Sequence, residues 1–85
     1  MSQEKETPAT IKGRLDVLRK GLISEENSVQ YYQTLIEKSP ADNEEQIGAR
    51  RMYEDLKNEE LKHVERFRTL VDHWEKQLRS LAPES

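Results

Sequence analysis

The apolar residues of this chain fall into two stripes. In the first, Ile11, Leu15, Leu18, Leu22, Val29, Tyr32 and Ile36 follow alternating steps of four and three, and the one skipped step is Glu25. In the second, Ala49, Tyr53, Leu56, Phe67, Leu70, Trp74 and Leu81 keep the same alternation. The steps skipped there are Glu60, His63 and Gln77, with Leu78 beside Gln77 extending the stripe. This alternation averages about 3.5 residues per turn and predicts helices with a coiled-coil-like seam. Thr7-Pro8 reads as an N-cap with proline at the first helical position, where its missing N–H is harmless. Ser39-Pro40-Ala41-Asp42 interrupts the pattern, because proline disfavours helical geometry in the residue before it. Asp42 with Glu45 predicts a capping-box restart, and Pro83 a stop.

The expected fold is therefore all-α: an antiparallel two-helix hairpin occupying 8–82. Helix one spans about 8–38, the turn 39–42 and helix two about 43–81, with tails at 1–7 and 83–85. At about 1.5 Å of rise per residue, each stripe is roughly 45 to 55 Å long. A lone hairpin cannot shield both stripes from water. A second copy does so by forming a four-helix bundle, so association into a homodimer or larger ring is expected.

Composition narrows the chemistry. At 85 residues there is room for one small domain, and small domains depend on staples such as disulfides, metals or partners. The chain has no cysteine, which removes disulfides, zinc–thiolate sites and iron–sulfur clusters. Apolar residues are 33% and charged ones 36%, a balance compatible with folding only because the apolar residues are so regularly placed. The net charge of −3 mixes both signs along the chain, without the basic face of a nucleic-acid reader. Neither an apolar run of about 18 residues nor a signal-peptide core is visible, so a cytoplasmic protein away from membranes is expected.

Three of the polar intrusions, Glu25, Glu60 and His63, carry the chemistry. An ionised carboxylate in an apolar seam is costly unless a counter-charge meets it. Glu60 and His63, three residues apart, project from one helix face, and Glu25 falls at a broadly similar height across the turn. Two copies bring four carboxylates and two imidazoles, a set that balances two divalent ions and suits iron or manganese. The bland alternative is that these residues specify register or oligomer state without metal, as a buried Asn does in coiled coils, leaving a metal-free helical dimerisation or adaptor module.

Here the sequence resembles the rubrerythrin and ferritin-like di-iron carboxylate superfamily, cut to half its usual length. Glu25-x-x-Ser28-x-x-Tyr31-Tyr32 is similar to that family's Glu-x-x-Gly-x-x-Phe-Tyr, whose Glu ligates metal. Tyr53-x-x-Leu56-x-x-Glu59-Glu60-x-x-His63 is similar to its Phe-x-x-Leu-Ala-x-Glu-Glu-x-x-His, whose second Glu and His bind iron. The likeness covers about residues 15–72. In layout it looks most like the two-helix encapsulated ferritins, though Tyr31-Tyr32 stands where those carry Trp-Tyr, and no apolar docking peptide is visible in 81–85. The resemblance implies a di-iron ferroxidase centre at a subunit interface, two ions per dimer, ligated by Glu25, Glu60 and His63. It implies oxidation of Fe2+ by dioxygen for iron storage, with an encapsulin shell as partner and a protein nanocompartment as location. Either Glu25 or Glu60 would bridge the metals.

Neighbouring residues have two readings each. Tyr32 is a partner for a ligand carboxylate or a packed core residue, and Tyr31 lines an interface or rim. Glu26, Glu59 and Glu65 guide iron inward or solvate the helices. His73 reads as a surface histidine, and Phe67 and Trp74 as core or subunit contact. Gly13, Gly21 and Gly48 each weaken a helix by roughly 1 kcal/mol and are candidates for close helix approach.

Overall fold

The computed structural model describes residues 5–81; the expected C-terminal tail, Pro83 included, lies outside them. Among these residues are two α-helices and no strand: α1 (Pro8–Lys38) and α2 (Glu44–Leu81). They pack on each other as an all-α hairpin.

Local chemistry explains each end. Thr7, in extended geometry, accepts from Thr10 N at 3.1 Å, and Thr7 N donates to Thr10 Oγ1 at 2.8 Å, with Pro8 at the first helical position. Two orphan N–H groups are thus satisfied reciprocally, a capping box with threonine in the usual Glu place. At the other end Ser39 is extended, as a residue before proline must be. The second start differs from the expected Asp42–Glu45 pair by one residue. Asn43 Oδ1 accepts from Gln46 N at 2.9 Å, while Asp42 N donates to Gln46 Oε1 at 2.8 Å. Asn and Asp cap about equally well, so pattern alone could not choose between adjacent candidates.

The buried core is small: Ile11, Leu15 and Ile36 from α1 and Val64 from α2. Val64 lies outside the stripe read from the sequence, whereas Ala49, Leu70, Gln77 and Leu81 from that stripe are exposed. The face of α2 turned to α1 is rotated slightly, taking in Tyr53, Glu60, Val64, Phe67, Val71, Trp74 and Leu78, all buried or half-buried. Leu56, His63 and Leu70, at seven-residue spacing, form a second row along its flank. A seven-residue repeat permits either row to be the seam, and only packing decides.

The hairpin is one helix thick. Its extents are 64 × 32 × 14 Å, and a helix with its side chains is about 10–12 Å across. Both broad faces are therefore open in a single chain. No helix of the described residues is long and apolar enough to cross a membrane.

Candidate metal centre

Glu25 sits midway along α1, and Glu60 and His63 sit one helical turn apart on α2. Antiparallel packing brings the three to one height. One donor atom from each lies within 4.8 Å of the other two. His63 Nδ1 is 2.8 Å from Glu25 Oε1 and 2.9 Å from Glu60 Oε1. The two carboxylates are mostly covered, with side-chain exposures of 21% and 20%, while His63 is at 45%. The cluster is thus closed from within the hairpin and open through the histidine. None of the three is fully buried in a single chain, less deep than an uninterrupted seam would place them.

The donor set could hold a cation. Nδ1 carries at most one hydrogen, so it cannot fully serve two carboxylate oxygens. In the other tautomer three electron-rich atoms face each other with nothing between. A first-row divalent ion binds nitrogen and oxygen donors at about 2.0–2.2 Å, so neighbouring donors on one ion sit about 3 Å apart. The His63–carboxylate distances match that spacing, and two carboxylates neutralise one divalent charge. Oxygen and imidazole donors without thiolate suit iron or manganese.

A close approach of the helices frames the cluster. A Cβ placed on Gly21 would lie 2.6 Å from Phe67 Cε1. Gly21 is one turn before Glu25, and Phe67 one turn after His63. No other residue fits there without moving the ring, so glycine lets α1 approach α2 beside the point where Glu25, Glu60 and His63 converge. Gly13 and Gly48 meet nothing within 4 Å, so close approach explains one glycine of the three.

The neighbours are distributed differently from the ligands. Tyr32 is half-buried and Tyr31 exposed, their rings edge-to-face at 5.3 Å; among the described residues no hydrogen bond joins either to the cluster. Glu26 pairs with Arg68 across the hairpin at 2.9 Å, and Glu59 pairs with Lys62 on its own helix at 3.2 Å. Glu65 lies 3.7 Å from Arg68. Each of these acids thus has a basic partner at the surface. His73 is exposed and stacks edge-on to Trp74 at 4.8 Å, away from the cluster.

Sequence reading missed three inter-helix polar bridges. Arg19–Glu75 at 2.7 Å, Glu26–Arg68 at 2.9 Å and Lys57–Gln33 at 2.6 Å strap the helices together. Positions 19, 26 and 33 recur every seven residues, which is the signal that could have found them. No family model, curated protein or solved structure matches this chain.

Proposed function

We propose that Glu25, Glu60 and His63 form half of a ferritin-like di-iron carboxylate centre, and that the chain is a ferroxidase handling Fe2+. The observation that supports this is the convergence of two carboxylates and an imidazole, from two helices, on one point that could hold a divalent ion. A second copy supplies the second Glu–Glu–His set, so that four carboxylates and two imidazoles enclose two ions. Bound iron supplies the redox chemistry, each Fe2+ giving one electron to dioxygen. The chain's own residues hold geometry and charge. Glu25 and Glu60 neutralise the ions, His63 ligates from the open side, and flanking apolar residues limit water. Manganese fits the same donors. The resemblance carries the proposal on to an encapsulin shell that receives ferric iron, which co-purification with a shell protein would test.

The direct test is Fe2+ titration followed by exposure to air. One iron bound per chain and a rise in ferric absorbance are expected, and Glu60→Ala and His63→Ala should remove both. Unchanged oxidation rates in those variants reject the reading. A metal-free alternative has its own observation: a protonated Nδ1 can bridge both carboxylates, pinning the register of the hairpin without an ion. It predicts that Fe2+ leaves the melting temperature where it was.

A further inference from the structure

Three polar straps, Arg19–Glu75, Glu26–Arg68 and Lys57–Gln33, gather on one broad face of the hairpin. On the opposite, open face Glu25 meets His63, and Val17, Leu18 and Leu70 line a shallow groove with Arg14 and Trp74. Arg14 and Trp74 are themselves in contact, with the guanidinium carbon over the indole, 4.4 Å from the ring centroid. A cation within about 6 Å of an aromatic face is attracted to it. This contact joins α1 to α2 without a hydrogen bond, and the candidate metal centre makes no use of it.

Its position in the fold gives it a task. The turn at 39–43 ties the helices together at one end of the hairpin, whereas the end where α1 starts and α2 finishes has no peptide link. Helix ends without such a tie open most easily. Yet the two most deeply buried side chains, Ile11 at 0% and Leu15 at 1%, lie at that untied end. Arg14 falls between them in sequence, and the nearest strap, Arg19–Glu75, is a turn further in. The start of α1 is therefore kept on α2 by this core and by Arg14.

Arg14 is held in turn. Its Nε donates to Glu6 Oε2 at 3.1 Å and its Nη2 donates to the same oxygen, while Glu6 Oε1 accepts from Thr10 Oγ1 at 2.7 Å. Thr10 forms the reciprocal cap with Thr7. A guanidinium donates from its edge and still presents its charge to an aromatic ring, so Arg14 serves both partners at once. The hydrogen bond between them favours the charged form of Glu6 and of Arg14 alike. On α2, His73 stands edge-on to the half-buried Trp74 at 4.8 Å. We propose that Glu6, Arg14 and Trp74 form a clasp, in which a carboxylate ahead of α1 fixes the guanidinium that holds the last turns of α2 against the start of α1. Glu6 is then a positioning residue, acting on the indole through Arg14. The clasp needs neither metal nor a second copy, so it stands or falls apart from the proposed function.

Amide hydrogen exchange of the full chain at neutral pH reads the clasp on both helices. Glu6→Gln should speed exchange about two- to fivefold around Ile11 and Leu15 and, across the hairpin, from Trp74 to Leu78. Arg14→Met keeps an apolar stem and removes the charge, and it should do the same. With Trp74→Leu in place, Glu6→Gln should no longer reach α2; if that chain does not fold, Trp74→Phe keeps a ring and should shrink the effect. The chain has one tryptophan, so its emission should move to longer wavelength in Glu6→Gln and Arg14→Met. An effect of Glu6→Gln confined to the first turn of α1 would make Glu6 a cap alone and overturn the clasp. So would an Arg14→Met chain that exchanges and fluoresces as the wild type does, or an effect on α2 that is the same whichever residue stands at position 74.

Discussion

Leu61 and Leu70 are almost equally exposed in a single chain, at 41% and 39%, yet they lie on opposite faces. Leu61 borders the strapped face with Glu26 and Arg68, while Leu70 borders the open face with Val17 and Trp74. On the strapped face, solvent and polar bridges complete the surface. On the open face, the Glu25–His63 contact is the one polar bridge among the described residues, and the apolar residues around it are exposed. Exposure of a single leucine therefore does not tell the two faces apart. The distribution of polar bridges does.

The sharpest way to break this comparison is a matched pair of substitutions. Leu70→Asp should weaken association by about tenfold or more, since burying a leucine is worth roughly 1.5–3 kcal/mol. Leu61→Asp should leave the light-scattering mass unchanged. Equal behaviour of the two would remove the distinction between the faces. Next in size, Leu15→Ala removes a core side chain that is 1% exposed and should cost about 2–5 kcal/mol in a denaturant melt whichever face is covered.

The glycines give a smaller, signed test by thermal melting. Gly13→Ala has open space and should stabilise α1 by about 0.5–1 kcal/mol. Gly21→Ala must displace the Phe67 ring and should instead destabilise by about 1–3 kcal/mol, with weaker Fe2+ binding. If both stabilise alike, the close approach at the cluster is not tight. On the strapped face, Arg68→Ala should cost no more than about 1 kcal/mol, and less in high salt, because its pairs are exposed.

The smallest expected effect lies at the start of α1. The Arg14 guanidinium, hydrogen-bonded to Glu6, holds that carboxyl below its ordinary range, with Thr10 contributing. A carboxyl depressed in the folded state stabilises above its unfolded value, and that contribution fades as pH falls through the folded value. Glu6→Gln should therefore loosen the first turn at neutral pH, where the charged carboxyl holds Arg14 and Thr10, and remove the further fraying on acidification, read by proton exchange of the Thr10 amide.

Much of the hairpin was legible because helix signals are local. The four–three stripes, the Thr7-Pro8 start and the Pro40 break each act within a turn or two of chain, and the antiparallel hairpin follows from them. The α2 cap was read one residue early, since Asp42 and Asn43 are chemically equivalent candidates. The seam of α2 was read slightly rotated, because Val64 and Leu70 both satisfy a seven-residue repeat. Glu25, Glu60 and His63 stood out as polar steps in apolar stripes, but their height relative to one another depends on how the turn sets the register. The Gly21–Phe67 contact was invisible, since three glycines looked alike until one met a ring.

The sequence by itself determined two long amphipathic helices, their shared hairpin and the identity of three ligand-type side chains, since each follows from the order of residues along a helix. Only the tertiary structure decided that these side chains meet at one point, that α1 touches α2 at Gly21, and that the three straps gather on one face. Those outcomes depend on the rotation and offset of one helix against another. A repeat that looks the same every seven residues leaves both free until side chains pack.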